Sequence, residues 1–139
     1  MDGRVYLDAS AALKLVLAEP ESDSLSDFLR PVASRASSEV LEAELSRALR
    51  RRAAMDGLPE ELLLDAAVGM LERMDLVTLD RQILGVAGRL DPVGLRTLDA
   101  LHVASALKVD PLSFFVSYDK RQLEAARSAG LQTASPGAV

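Results

Sequence analysis

Apolar residues switch between two periodicities along the chain, and the switching outlines a fold. Short uninterrupted apolar runs predict buried strands, and longer stretches with i, i+3, i+4 spacing predict helices. Arg4-Val-Tyr-Leu-Asp8 is a short strand. Ala9–Ala18 has helical periodicity that Pro20 breaks, and Glu21–Leu29 reads as a second short helix with acids in its first turn. Pro31–Arg35 is expected as a second strand. Ser37 or Ser38 then caps a long helix running to about Met55, stopped by Gly57 and Pro59. A helix covers Glu60 to Arg73, Leu76–Leu79 is a strand, and another helix runs from Arg81 to about Leu90. Asp91-Pro-Val-Gly is a turn, and Leu98–Val109 is helical with Thr97 as its cap. Ser113-Phe-Phe-Val-Ser-Tyr is the clearest strand, Lys120–Ala129 is a helix ending at Gly130, and Leu131–Ala134 is an edge strand. A frayed tail, 135–139, is expected to follow.

Strands separated by helices indicate an α/β fold, a mostly parallel sheet of four to five strands covered on both faces. The 139 residues hold one such domain, residues 1–134, with no repeat or linker. At 49% hydrophobic and 27% charged the chain is expected to be globular. The absence of cysteine excludes disulfides, zinc–thiolate sites and cysteine nucleophiles, and a single histidine, His102, excludes a multi-histidine metal site. No uncharged stretch is long enough for a membrane span, and Asp2, Arg4 and Asp8 make a poor signal peptide, so a cytoplasmic protein is expected. The net charge of −5 speaks against coating nucleic acid by bulk positive charge, yet it is compatible with a nuclease whose acidic site recruits cations.

In parallel α/β folds ligands bind beyond the carboxyl ends of the strands. Asp8 ends the first strand, Asp80 and Asp119 follow later ones, and Asp99 stands in the first turn of a helix. Each alone is explained by the preference of aspartate for helix starts, and Asp80 fits that explanation best. The long helix adds Glu44. At about 100° per residue, Val40, Leu41, Leu45 and Ala48 form an apolar arc with Glu44 inside its edge, while Glu42 lies at the outer margin. An acid on a packed face is costly unless it is paired, protonated or metal-bound. An ion pair with Arg47 or Arg51 is the plain alternative. Converging carboxylates about 4 Å apart repel by roughly 4 kcal/mol at an effective dielectric near 20, and so call for a proton or a cation. Oxygen-only ligands select a hard ion, Mg²⁺ or Mn²⁺, which implies phosphate-ester chemistry.

Four segments, Val5-Tyr-Leu-Asp-Ala-Ser-Ala-Ala-Leu-Lys14, Glu42-Ala-Glu-Leu-Ser-Arg-Ala-Leu-Arg50, Leu98-Asp-Ala-Leu-His-Val-Ala-Ser-Ala106 and Val116-Ser-Tyr-Asp119, resemble the PIN domain in their order and spacing. More closely, the chain resembles a VapC-type ribonuclease toxin of a toxin–antitoxin pair. The resemblance implies a three-layer α/β/α fold and an Mg²⁺- or Mn²⁺-dependent endoribonuclease that hydrolyses RNA by attack of metal-activated water, leaving 5′-phosphate and 3′-hydroxyl ends. It implies a homodimer restrained by a small antitoxin. It places Asp8 and Asp99 as main metal ligands, Glu44 as a ligand or a water-orienting group, and Asp119 as an outer member. Ser10 and Ser117 would support them.

Other residues carry less. His102, three positions after Asp99, shares its helix face, as a core histidine or as a partner for a carboxylate or substrate. Arg47 flanks Glu44 and is a candidate contact for RNA phosphate or an acidic antitoxin side chain. Lys14 is placed either to meet helix carbonyls or to reach phosphate. Phe114 and Phe115 read as core. Two rival readings stand beside the nuclease. One is a non-catalytic PIN-like protein-binding module; the other is a phosphoacceptor receiver domain using Asp80, which lacks adjacent acids after the first strand.

Overall fold

A strand that alternates its faces can feed two cores at once, and the first strand does so. In the computed structural model, which describes residues 3–139 and so leaves Asp2 outside, five strands form one parallel sheet in the order β3-β2-β1-β4-β5. They are β1 (Arg4–Leu7), β2 (Ser34–Ser38), β3 (Asp75–Val77), β4 (Phe114–Val116) and β5 (Thr133–Ala134). The helices are α1 (Ala9–Leu13), α2 (Ser22–Leu29), α3 (Leu41–Asp56), α4 (Glu60–Glu72), α5 (Arg81–Ala87), α6 (Thr97–Leu107) and α7 (Lys120–Ser128). Val5 and Leu7 face one side, where Leu25, Leu29, Leu41, Leu45, Leu49 and Met70 cover them. Tyr6 faces the other, against Ala36, Val103, Phe115 and Ala125. This period of two is what a sheet buried on both faces requires. The three-layer α/β/α fold expected from the sequence is the one observed.

The strand order reverses beside β1. From β1 the chain steps outward to β2 and β3, then returns through α5 and α6 to lay β4 on the other side of β1. Such a reversal opens a crevice at the carboxyl ends of the two strands. The register pairs Leu7 with Val116, so Asp8 and Ser117 emerge side by side at that crevice.

Several boundaries differ from the sequence expectations, each for a local reason. The second strand is Ser34–Ser38 rather than 31–35. It carries no apolar run, yet its last two serines are buried because their hydroxyls find partners: Ser37 Oγ donates to Leu7 O at 2.7 Å and Ser38 Oγ accepts from Val40 N at 3.2 Å. Ser37 and Ser38 therefore belong to the sheet, and Val40 occupies the cap position of α3 without a side-chain bond. The third strand is Asp75–Val77 rather than 76–79, because Leu79 N turns away to Glu39 Oε1. α1 ends at Leu13 and α5 at Ala87, both short of the expected limits. Thr97 lies inside α6, and the cap position is Arg96, with no side-chain bond. The tail is not frayed at its start: Ser135 Oγ donates to Ser117 O and Tyr118 Oη to Pro136 O, at 2.6 and 2.7 Å. Gly57, with φ of 67°, ends α3 as expected. No helix among the described residues is long and apolar enough to cross a membrane.

Asp80 caps α5 by accepting from Ile83 N at 2.8 Å, so its role is explained by the helix start. Asp80→Ala should cost about 1 kcal/mol of stability, against roughly 2–5 kcal/mol for Leu45→Ala in the core. Urea unfolding of both variants measures the difference, and an equal loss would refute this division.

Candidate active site

Asp8 is the fixed point of the crevice. Only 3% of its surface is exposed. It stands at the N-cap of α1, where Oδ1 accepts from Ala11 N at 2.9 Å. Ser10 Oγ lies 2.8 and 2.9 Å from the two carboxylate oxygens, and Ser117 Oγ donates to Oδ2 at 2.8 Å. Ser10 Oγ in turn accepts from Tyr118 N and Ser117 Oγ from Asp119 N, so β4 locks both hydroxyls in place. Three donors meet a carboxylate with about four lone-pair directions, which leaves one direction unused. Burial raises the carboxyl above its usual range, against the field of His102 and the hydrogen bonds.

Asp99 and Asp119 share this neighbourhood electrostatically. The Asp99 carboxyl is raised first by burial, then by the negative charges of Asp119 and Asp8, and is lowered in part by His102 and Arg96. Asp119 caps α7: its Oδ1 accepts from Arg121 N at 2.9 Å and Gln122 N at 3.1 Å, leaving Oδ2 without a bond to the described residues. Capping and site geometry coincide here, because the cap bonds aim the carboxylate. Gln122, buried and absent from the sequence expectations, ties the group together. Its Oε1 lies 3.0 Å from Ser117 Oγ, beside the shorter bond by which that hydroxyl gives its one proton to Asp8, and its Nε2 donates to Asp99 O at 3.3 Å. The only signal for it is its place three residues into a helix that starts at a site aspartate.

Glu44 lies half-buried on α3, with Glu42 exposed, as the helical wheel predicts. Its partner is neither Arg47 nor Arg51. His102 Nε2 lies 2.6 Å from Glu44 Oε1, and His102 Nδ1 lies 2.7 Å from Tyr6 Oη. With the ring neutral, Nε2 donates to Glu44 and Tyr6 Oη donates to Nδ1; with the ring protonated, both nitrogens donate and the charge acts on the neighbouring carboxylates. His102 is 1% exposed, hence both a satisfied core residue and a carboxylate partner. The buried row of α3 is Leu41, Leu45, Leu49 and Ala53. That arc lies further round the helix than expected and leaves Glu44 on the margin that His102 reaches.

Arg47 is exposed in a cleft of about 400 Å³ that also includes Glu44, Arg51 and Leu98. A second cleft, about 290 Å³, is lined by Arg96, Asp99, Asp119, Lys120 and Arg121. Lys14 reaches neither helix carbonyls nor the clefts with its ammonium: it pairs with Glu21 at 3.0 Å and lies over the Tyr118 ring. Phe115 stacks on Tyr6 in the core.

Among the described residues, no group of three or more His, Asp and Glu side chains is spaced to hold a metal ion as it stands. The chemistry of the donors nevertheless fits a hard divalent cation. They are all carboxylate oxygens, Asp8 retains one lone-pair direction, and the mutual repulsion written into Asp99 is what a cation relieves.

The PIN domain family model matches residues 5–128. Ribonuclease VapC46 of Mycobacterium tuberculosis is 40% identical over 134 residues, covering 95% of this chain and 97% of the relative. Ribonuclease VapC47 of the same species is 36% identical, covering 97% and 98%. Among solved structures, Mycobacterium tuberculosis VapC20, described as a sarcin–ricin-loop-cleaving toxin, superposes with a TM-score of 0.72 at 15% identity, covering 95% of this chain and 99% of that one. VapBC2 from Rickettsia felis, bound to a DNA fragment from its promoter, gives 0.68 at 15% identity, covering 96% and 98%.

A carboxyl raised by burial is destabilising when ionised, a penalty present above its folded-state pKa and relieved as pH falls through it. Asp8→Asn in EDTA at neutral pH should therefore raise Tm. Adding Mg²⁺ or Mn²⁺ should raise the Tm of the wild type and leave that of Asp8→Asn unchanged. Thermal melts of both proteins test this, and equal responses to the ion would contradict it.

Proposed function

The chain belongs to the PIN domain family, among its VapC ribonucleases, and on that basis we propose that it is a divalent-metal-dependent endoribonuclease, the toxin of a toxin–antitoxin pair. The observation that carries this reading is Asp8, buried at the carboxyl ends of the neighbouring strands β1 and β4 within the electrostatic reach of Asp99 and Asp119. Membership of the family sets aside the receiver-domain reading of Asp80.

Asp8, Asp99 and Asp119 would hold Mg²⁺ or Mn²⁺, with Glu44 at the margin of the set. When bound, such a cation offsets the charge of a phosphodiester and lowers the pKa of water. Ser10 and Ser117 keep Asp8 in one orientation. Glu44, pinned through Oε1 by His102, has Oε2 available to orient the attacking water. Attack at phosphorus breaks the P–O3′ bond. The proton lost by water passes to the 3′ oxygen, giving a 5′-phosphate and a 3′-hydroxyl. Arg47 on one side, and Arg96, Lys120 and Arg121 on the other, supply phosphate contacts along the RNA. Exposed apolar side chains such as Leu62, Val68, Leu84 and Leu98 are surface that a second copy of the chain or the antitoxin would cover. The protein is proposed to act in the cytoplasm, where RNA and antitoxin meet.

Asp8→Ala and Asp99→Ala should each abolish cleavage, and EDTA should stop the wild type until Mg²⁺ or Mn²⁺ is restored. Glu44→Gln should lose roughly 10²-fold, a loss typical of a general base, whereas Glu42→Gln should stay near wild type. Gel assays with purified, folded variants, and sequencing of the RNA ends, provide the readout. Undiminished cleavage in both aspartate variants would remove the proposal, and a larger loss for Glu42 than for Glu44 would reject the assignment on α3.

A further inference from the structure

The opposite end of the sheet holds an arrangement that the nuclease reading leaves unexplained. Arg35, near the start of β2, and Arg73, which follows α4, line a cleft of about 220 Å³ with Val32, Ser34, Met70 and Met74. Arg35 is half-buried, and Arg73 folds back along its helix, with Nη1 3.8 Å from where a Cβ on Gly69 would stand. Burial, and then the positive charge of Arg73, pull the Arg35 guanidinium below its usual range, so the two cations feel each other. Neither forms an ion pair or a side-chain hydrogen bond with any described residue. The neighbouring acid, Asp75, is engaged by Arg4 at 3.6 Å, and Arg4 also donates to Ser34 Oγ at 3.0 Å.

Two like charges beside each other, one of them partly removed from water, oppose folding unless something negative joins them. Two guanidinium forks arriving from different elements offer more donors than a planar carboxylate can use; a tetrahedral oxyanion uses them well. We propose that the cleft between β2 and the end of α4 is a phosphate site, gripped by Arg35 and Arg73. Arg35 pairs in register with Val5, three residues before Asp8, so the site lies roughly 10 Å of strand away from Asp8, toward the amino ends of the strands. It is therefore separate from the acidic crevice. The phosphate is either free inorganic phosphate or a backbone phosphate of bound RNA. Only the RNA arm of the test rests on the ribonuclease reading.

The test uses the full chain in EDTA, as wild type, Arg35→Gln, Arg73→Gln and the charge-conserving Arg35→Lys. In thermal melts, sodium phosphate is titrated against sodium chloride at matched ionic strength. The wild type should show a saturable rise in Tm that both glutamine variants lose and Arg35→Lys weakens. Melts in chloride alone check that each variant folds, and exposed Arg73 gives the safer substitution. In the second arm, a single-stranded RNA oligonucleotide is bound across a salt series. If the RNA backbone is the source, the glutamine variants bind several-fold more weakly, and the slope of log K against log salt falls by about 0.7 for each phosphate no longer neutralised. A phosphate response lost in the variants with RNA affinity unchanged assigns the site to free phosphate. A wild type blind to phosphate with variants unchanged toward RNA overturns the proposal, as does a phosphate response that both glutamine variants retain with no loss of RNA affinity.

Discussion

A carboxylate held almost out of water is the constraint around which this structure is arranged. Removing the charge of Asp8 from solvent costs several kcal/mol. The bonds from Ala11 N, Ser10 Oγ and Ser117 Oγ, each a charge-assisted hydrogen bond of about 1.5–3 kcal/mol, return a similar amount. The raised carboxyl shows that desolvation outweighs them. Every donor depends on the fold. Ala11 N requires α1 to start immediately after β1. Ser117 Oγ requires β4 in its particular register, and Ser10 Oγ is steadied by Tyr118 N. The sheet order and the site are thus one requirement seen at two scales.

The same logic extends to Asp119. A helix needs acceptors for its first N–H groups, and a site needs carboxylates aimed at a common point. Placing the aspartate at the junction of strand and helix meets both needs, since the cap bonds consume one oxygen and orient the other. Asp80 shows the difference: it makes the same cap bond on α5, but it follows β3 at the sheet edge, away from the reversal between β1 and β4. Position in the topology, and not residue type, separates the structural aspartate from those gathered around Asp8.

That distinction also explains what can be read from the sequence. β1 and β4 are legible because both faces are buried and both leave apolar runs. β2 lies away from its expected position because a central strand made of Ser34, Ser37 and Ser38 has no hydrophobic signature; its hydroxyls are satisfied by partners visible only in three dimensions. Asp8, Asp99 and Asp119 are legible from their places at strand and helix ends, and Glu44 from its helical phase. The partner of Glu44 is not, since His102 stands 58 residues further along the chain and is brought to it only by packing. Gln122 escapes a sequence reading altogether, because a buried amide on an amphipathic helix looks like any other polar position.

An acidic chain that meets RNA poses a final electrostatic question, and the distribution of its cations answers it. The net charge is −5, but at physiological salt fields fade over roughly 8 Å, so a polyanion responds to the local surface rather than to the total. Arg30, Arg50 and Arg52 are tied to Asp27, Glu60 and Asp56, respectively, and Lys14 to Glu21. Arg47, Arg51, Arg96, Lys120 and Arg121, in contrast, form no ion pair with the described residues, and they rim the two clefts beside Glu44 and beside Asp99 and Asp119. In the proposed ribonuclease, cations on the rim would take phosphates on either side of the scissile bond while the acids would face the bond itself. Such a separation of signs would let one surface attract the RNA and hold the proposed catalytic carboxylates against the bond to be cleaved.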